Sequence, residues 1–223
     1  MLSFDNSRDF PFYNGNPHVS MIQWIVMLIS ILLSLIVYSC LSEFSELIGS
    51  IFFCLVMLIP LLYYSNWNYM VLFQKPTKDE IILAVLMFIG YLVYTIVMVS
   101  VLEQYNVTGN NLVDPVTINV ESLIPLIFQI ASEELIKFIP LMFFMRLFYR
   151  ITDNRNISFL LSAFLICMGF GLLHYTDSVI SALLLQGLGT TFELYAYAKS
   201  KNLFIPFLTH YLTDAFIFIL IIL

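Results

Sequence analysis

Hydrophobic residues occur along this chain in long runs that are separated by short polar stretches. The longest polar stretches are the first 19 residues, 65–80 and 103–120. Runs of about 18 or more apolar residues are long enough for an α-helix to cross a bilayer. The pattern therefore predicts an all-α polytopic membrane protein with seven transmembrane helices, at about 20–41, 46–64, 81–102, 122–149, 157–175, 179–198 and 203–223.

The seven predicted helices leave little of the chain for a soluble domain. We expect a cytoplasmic N-terminal segment, 1–19, followed by a single transmembrane domain, 20–223. The first segment carries Asp5, Arg8 and Asp9 instead of the basic region of a cleavable signal, and the apolar run behind it is too long for a signal core. We therefore expect the first helix to be retained.

The composition narrows the class of protein and its partners. The chain is 61% hydrophobic and only 11% charged, whereas a soluble domain is roughly 25% charged. Its net charge of −6 comes from scattered acids without a basic stripe, which excludes nucleic acid as a partner and leaves the lipid bilayer. Cys40, Cys54 and Cys167 lie in predicted helices without CxxC spacing, so we interpret them as small core residues.

Lysines and arginines outside the predicted helices fall on alternate loops. If the N-terminus is cytoplasmic, the loops on that side hold every basic residue except Lys137, and the opposite loops hold only acids. This distribution follows the positive-inside rule and predicts a multi-pass protein with its N-terminus inside. We expect its location to be a bacterial plasma membrane. The inner loops carry Arg8, Lys75, Lys78, Arg146, Arg150, Arg155, Lys199 and Lys201, and the outer loops carry Glu43, Glu103, Asp114 and Asp177.

Two adjacent acids and a lysine lie in the middle of the fourth predicted helix. Glu133 and Glu134 precede Lys137 by four and three residues, so all three can share one face of the helix. A charge at the bilayer centre costs a few kcal/mol, which makes such a cluster a hypothesis for a functional site. Two carboxylates with one lysine suit a general base or a metal ligand. The alternative is a structural ion pair that holds the bundle together.

Two later helices carry histidines that extend this cluster. His174 ends the fifth predicted helix, four residues after Phe170, and His210 precedes Asp214 by four residues on the seventh. The second spacing puts the imidazole and the carboxylate on one face, where Asp214 can orient the ring or supply a further ligand. A single histidine at a helix end is more often an interfacial residue. The joint occurrence favours one site on helices 4, 5 and 7.

The sixth predicted helix carries Gly187, Gly189 and Glu193. The two glycines predict a packing face of small residues. Glu193 lies about five residues from the cytoplasmic end, or roughly 8 Å at 1.5 Å per residue, so we expect its side chain to reach the lipid headgroups. Serine catalysis is disfavoured because no serine lies in a GxSxG turn.

Taken together, these motifs resemble a known family of intramembrane proteases. The family is the CAAX-prenyl-protease and bacteriocin-processing family, abbreviated CPBP or Abi, and the likeness covers about residues 120–218. The motifs that carry it stand in the family's order on the predicted helices: Glu133-Glu134, Phe170-x-x-x-His174 and His210-x-x-x-Asp214.

The chain departs from the usual CPBP pattern at one position. Where the family has an arginine, four residues after Glu134, this chain has Phe138, and Lys137 offers a cation one position earlier. Glu-Glu-x-x-Lys together with His-x-x-x-Asp looks more like the related PrsW-type proteases, which commonly have Glu where this chain has His174. Lys137 and Phe170 are supporting positions in either case.

The resemblance implies hydrolysis of a peptide bond inside the membrane. Its substrate would be a membrane-associated peptide or a lipidated protein tail, and Glu133 and Glu134 would activate a water molecule. His174, His210 and Asp214 would then either bind a divalent metal or stabilise the developing oxyanion. With zinc, Glu134, His174 and His210 are the candidate ligands. Without a metal, the histidines act as hydrogen-bond donors.

Two other functions are consistent with a buried polar cluster. One is a non-catalytic scaffold or immunity protein of the same fold. The other is a small proton-coupled transporter, because buried Glu, Lys and His also form proton relays. The two halves of the sequence show neither an inverted repeat nor paired broken helices, which disfavours a transporter.

A single site that contains both His174 and His210 requires a particular position of the fifth helix. Counting 1.5 Å per residue from residue 157 puts His174 roughly 25 Å from the inner surface, whereas His210 lies roughly 10 Å from it. The two histidines can meet only if the fifth helix begins in the cytosol or tilts strongly. The turn after His174 would then stay inside the bundle.

Overall fold

A computed structural model of the protein describes residues 2–5, 7–107, 119–176 and 178–223. These residues contain helices and no β-strand. Most of the predicted outer loop 103–120, including Asp114, and also Asp177 lie outside the described residues. The seven long helices of the described residues are α1 (Met21–Ser42), α2 (Glu46–Tyr64), α3 (Lys78–Gln104), α4 (Leu123–Thr152), α5 (Arg155–Leu173), α6 (Val179–Ser200) and α7 (Phe204–Ile222).

Every predicted helix is present, and each end lies within about three residues of its predicted position. Among the described residues, six of these helices are long and apolar enough to cross a membrane, which indicates a multi-pass membrane protein. The exception is α4, which carries Glu133, Glu134 and Lys137 in its middle. Seven spans and their orientation therefore stay predictions.

Side-chain caps explain why the first and third helices begin where they do. The Ser20 side chain accepts a hydrogen bond from the Gln23 backbone, and the Gln23 side chain accepts one from the Ser20 backbone. Thr77 and Glu80 form the same reciprocal pair at the start of α3. Such caps satisfy backbone donors that a helix leaves unpaired, and each contributes about 1 kcal/mol. The α4 helix ends at Asp153, whose positive φ of 47° stops the helical path.

The chain divides into two compact units, each built from separate stretches. We call the first the histidine unit and the second the acid-pair unit. The histidine unit comprises Met1–Ser7, Pro76–Ile118 and Ala163–Leu223, and the acid-pair unit comprises Arg8–Lys75 and Asn119–Ser162.

In the acid-pair unit, α1 packs against α2, and both contact α4. The N-terminal segment joins this unit through aromatic contacts. The Phe12 ring lies edge-on to Trp24 at 5.8 Å, and the Tyr13 ring lies edge-on to Tyr149 at 4.8 Å. Burial and a hydrogen bond to Asp9 raise the pKa of Tyr13 to about 12. The segment predicted to be a cytoplasmic extension is thus packed against α1 and α4.

In the histidine unit, α3 packs against α6 and α7, and α6 packs against α7. The Thr209 hydroxyl of α7 hydrogen-bonds to the Ala84 carbonyl of α3 at 3.4 Å. Ala84 is buried in one cluster with Leu83, Ala196 and Ile205. These small and branched side chains let α3 approach α6 and α7, the helices that carry Glu193 and His210.

The predicted packing face of α6 is confirmed by two close approaches. A Cβ atom on Gly187 would lie 2.8 Å from the Cys167 carbonyl oxygen, and one on Gly189 would lie 2.5 Å from the Tyr91 ring. On α5, a Cβ atom on Gly171 would lie 2.9 Å from the Gly187 Cα atom. Larger residues would therefore separate α6 from α3 and α5.

The three cysteines do not share one environment. Cys54 and Cys167 are buried, as predicted, whereas Cys40 is exposed. The prediction for Cys40 is wrong because it lies near the end of α1, on a part of the helix that the acid-pair unit leaves uncovered.

Candidate functional site

The acid-pair unit buries one predicted acid against the predicted cation. Oε1 of Glu134 lies 2.5 Å from Nζ of Lys137, and the two side chains are only 5% and 2% exposed. The spacing of three residues places them on adjacent turns of α4. The prediction that Lys137 neutralises an acid is confirmed for Glu134. The lysine supplies the countercharge that a buried carboxylate requires.

The neighbouring acid, Glu133, has different surroundings. It is half-buried and acts electrostatically on the Tyr38 hydroxyl of α1. One turn earlier, the Gln129 amide donates hydrogen bonds to the Tyr38 hydroxyl and to the Glu46 carboxylate, both at 3.1 Å. Adjacent residues point about 100° apart on a helix. Glu134 thus contacts Lys137, and Glu133 acts on Tyr38.

The histidine unit places one imidazole between two carboxylates. Nδ1 of His210 lies 3.8 Å from Oε1 of Glu193, and Nε2 lies 3.6 Å from Oδ2 of Asp214. The His210 and Glu193 side chains are 9% and 7% exposed, and the Asp214 side chain is 32% exposed. Both distances allow an ion pair when the imidazole is protonated, but they exceed a hydrogen bond. The predicted pairing of His210 with Asp214 on one face of α7 is thus observed as an electrostatic contact.

Glu193 is the residue that the sequence interpretation placed wrongly. The carboxylate is buried beside His210 instead of reaching the lipid headgroups. The depth count failed because α6 continues to Ser200, and Asn202 beyond it is also buried, so the position lies about two turns inside the helix. A sequence signal did exist, because Gly189 and Glu193 are four residues apart and share the packing face of α6.

Tyr91 of α3 was also missed by the sequence interpretation. Its hydroxyl is within electrostatic range of the carboxylates of Glu193 and Asp214. Its ring occupies the space that the missing side chain of Gly189 leaves open, and it lies edge-on to Phe192 at 6.0 Å. Helices α3, α6 and α7 therefore all contribute polar groups near His210.

The structure also brings the second predicted histidine towards His210. The rings of His174 and His210 both lie near the Phe170 ring, with centroid distances of 4.4 Å and 6.5 Å. Nδ1 of His174 lies 2.9 Å from the Phe170 carbonyl oxygen. A carbonyl can only accept, so Nδ1 carries the hydrogen and Nε2 is the nitrogen for a substrate or a metal. Both predicted histidines are therefore neighbours of Phe170, but Tyr175 and Thr176 after His174 are exposed, whereas this turn was expected to stay inside the bundle.

A stretch of π-helix interrupts α6 before Glu193. It covers Ala182–Gly187, and the Tyr94 hydroxyl of α3 donates a hydrogen bond to the Leu184 carbonyl there. The buried Ser181 hydroxyl, just before this stretch, has no hydrogen-bond partner among the described residues. Single π-helical turns are rare and often mark functional sites. The interruption thus adds an irregular backbone to α6 six residues before Glu193.

The histidine unit holds neighbouring groups of the kind that bind divalent metals. Ligand atoms of Glu193 and His210 lie within 4.8 Å of one another. Two atoms bound to the same tetrahedral zinc ion are about 3.3 Å apart, so either carboxylate could share an ion with His210 after a small adjustment. Glu193 therefore joins His210 and His174 as a candidate ligand, although the family resemblance did not include it.

No family model, curated protein or solved structure matches the chain significantly. The likeness to the CPBP and PrsW-type proteases therefore rests on the three motifs and their order on the helices.

Proposed function

We propose that this chain is an intramembrane endopeptidase that hydrolyses a peptide bond in a membrane-associated peptide or a lipidated protein tail. The observation that carries the proposal is the buried His210 imidazole between the Glu193 and Asp214 carboxylates, in helices apolar enough to cross a membrane. A structural ion pair needs only two groups. Three titratable groups on two helices suit catalysis better, and the second imidazole, His174, lies near Phe170 as His210 does.

In this proposal the acid pair activates water. Glu134, assisted by Glu133, takes a proton from a water molecule whose oxygen attacks the scissile carbonyl carbon. The same proton then passes to the leaving amine nitrogen as the C–N bond breaks. His210 donates a hydrogen bond to the oxyanion that forms on the carbonyl oxygen, and His174, whose Nδ1 already donates to the Phe170 carbonyl, presents Nε2 as an acceptor for a substrate N–H or as a metal ligand. A divalent ion held by His210 and its neighbours would polarise the same carbonyl.

Glu193 and Asp214 act through His210 in this scheme. Carboxylates that face an imidazole fix its orientation and its tautomer, and their removal typically lowers activity by about 10- to 100-fold. The more deeply buried Glu193 would hold the ring more firmly than the partly exposed Asp214. We propose both as positioning residues.

A cleavage assay with the purified full chain in lipid vesicles tests the proposed function. The substrates are plain and prenylated tail peptides, each with and without a chelator. We expect Glu134→Gln and His210→Ala to lower turnover by at least about a hundredfold. Glu103→Gln, an exposed acid at the end of α3, is the matched control and should not change it. Full turnover in a Glu133→Gln, Glu134→Gln double variant would overturn the protease proposal, and loss of turnover with chelator alone would assign a metal.

One observation favours a second function, a proton-coupled carrier. The histidine unit groups Tyr91, Glu193, His210 and Asp214 next to a π-helical interruption, and interrupted helices with titratable groups also occur in transporters. Proteoliposomes that enclose a pH-sensitive dye separate the two functions. Proton flux that His210→Ala abolishes, without peptide cleavage, would favour the carrier. The absence of both activities would favour a non-catalytic scaffold.

A further inference from the structure

A small cavity opens in the acid-pair unit between the beginning of α1 and the last third of α4. Its volume is about 50 Å³. One water molecule requires roughly 10–15 Å³ measured in this way, so the cavity has room for several waters or for the oxygens of one phosphate group. Its walls are formed by Met21, Trp24, Phe143, Arg146, Leu147 and Arg150. We call it the arginine cavity.

The charge in the cavity comes from two arginines one helical turn apart. Arg146 and Arg150 repel each other, and neither forms an ion pair with an acid among the described residues. Arg146 donates one hydrogen bond to the Val19 carbonyl. A guanidinium has five N–H donors in a planar fork, so most of the donors at this site remain for a ligand. An anion between the two groups would remove their repulsion.

Trp24 supplies a second, independent indication of a ligand. The residue is only 1% exposed, and its Nε1–H has no acceptor among the described residues. The Phe12 and Phe143 rings hold the indole at centroid distances of 5.8 Å and 5.7 Å. A buried donor without an acceptor destabilises the fold, and native structures contain few of them. An acceptor oxygen in the cavity would satisfy this N–H after a small shift of the indole ring, because Nε1 itself is closed off.

The surroundings of the cavity suit a ligand that lies at a membrane surface. Met21, Ile22 and Ile25 on the same end of α1 are exposed apolar side chains. Arginines and a tryptophan at the end of an apolar helix are typical of the headgroup level of a bilayer, and basic pockets there bind anionic headgroups. We infer that the arginine cavity binds a phosphate group through Arg146, Arg150 and the Trp24 indole. The site is independent of the proposed protease activity.

The phosphate could belong to a lipid headgroup or to a soluble ion, and two arms of one experiment distinguish the sources. The protein carries Trp67→Phe, so that Trp24 is its only tryptophan and its fluorescence reports on the cavity. One arm compares nanodiscs of phosphatidylcholine with nanodiscs that also contain phosphatidylglycerol, and counts retained lipids by native mass spectrometry. The other arm titrates inorganic phosphate into the protein in detergent.

The double variant Arg146→Gln, Arg150→Gln should lower the affinity for the phosphate group at least tenfold in whichever arm shows binding, because charge-assisted hydrogen bonds are lost. Lys75→Gln with Lys78→Gln removes the same charge at positions outside the cavity and should leave binding unchanged. Retained phosphatidylglycerol with no response to phosphate assigns a lipid headgroup. A response to inorganic phosphate alone assigns a soluble ion.

The inference is overturned if neither arm responds, or if the arginine and lysine variants bind equally. Trp24→Phe keeps both arginines and the ring contacts but removes the indole N–H, so it decides the case if the arginine variant does not fold. Its lipid or phosphate retention, measured by mass spectrometry, should fall severalfold. Retention at the unchanged level would show that the indole does not contact the phosphate.

Discussion

The two units hold titratable clusters that are built in opposite ways. In the acid-pair unit, Glu134 and Lys137 lie one turn apart on a single helix and form a contact of 2.5 Å. In the histidine unit, His210 on α7 meets Glu193 on α6 at 3.8 Å, so the contact exists only because two helices pack together. The first cluster is a local consequence of sequence spacing. The second is a consequence of tertiary structure.

The two contacts should also differ in the kind of change that destabilises them. Glu134 and its countercharge Lys137 lie on the same helix, so movements of one helix against another leave their contact intact. Removal of either partner leaves the other as an uncompensated buried charge. The contact of His210 with Glu193 instead requires α6 to stay packed against α7, in a unit where glycines let α6 lie close to α3 and α5. We therefore expect the contact of Glu134 with Lys137 to be most sensitive to loss of charge. The contact of His210 with Glu193 should be most sensitive to loss of close packing.

The largest predicted effect follows from removing the countercharge. Lys137→Met leaves Glu134 buried without a cation, and breaking a buried ion pair in this way typically costs about 3–5 kcal/mol. We expect a loss of this size in the free energy of unfolding, measured by denaturant titration in mixed micelles.

A double variant provides the matched control for that loss. Glu134→Gln with Lys137→Met has no buried charge to compensate and should recover most of the stability, although not the proposed activity. If Lys137→Met alone has the same free energy of unfolding as the unmodified protein, the lysine does not compensate the charge of Glu134.

A smaller effect is expected from adding a methyl group where α5 and α6 lie close together in the histidine unit. Gly171→Ala places a Cβ atom 2.9 Å from the Gly187 backbone, and overpacking of this kind costs about 1–3 kcal/mol. Gly169→Ala, on the same helix with nothing within 4 Å of the new Cβ atom, should be neutral or stabilise α5. Thermal unfolding of the two variants side by side measures the difference. Equal stabilities would mean that α5 and α6 are not in close contact.

The smallest predicted effect separates the two carboxylates that face His210. Glu193→Ala removes a buried carboxylate that faces His210 without a hydrogen bond, so we expect it to cost roughly 1 kcal/mol. Asp214→Ala removes a partly exposed partner and should cost less than about 1 kcal/mol. Unfolding free energies of the two variants test this order, and a larger loss for Asp214→Ala would show that Asp214 is the main partner of the ring.

Local features of this protein could be predicted from its sequence. The apolar runs defined all seven helices, the i to i+3 spacing predicted the contact of Glu134 with Lys137, and the i to i+4 spacing predicted the approach of Asp214 to His210. These relations depend only on helix geometry, which is the same in every helix.

Features that require two helices to pack could not be predicted in this way. The position of Glu193 was deduced from its distance to a predicted helix end, which ignored the direction in which the side chain points. Arg146 and Arg150 indicated the orientation of the chain, but their approach to Trp24 requires α1 to pack against α4. The spacing of Gly189 and Glu193 does give the face of α6 on which Glu193 lies. Which helices pack together is a tertiary property, and a pattern of single residues does not contain it.

The central claim is that Glu134 and His210 serve one hydrolytic reaction, and a double-mutant cycle tests it most directly. Single-turnover cleavage of a tail peptide is measured for the unmodified protein, Glu134→Gln, His210→Ala and the double variant. We predict that each single change lowers the rate at least about a hundredfold, and that the double change loses little more than the worse single one, because residues that act as a unit are not additive. A rate equal to that of the unmodified protein in either single variant would contradict the account.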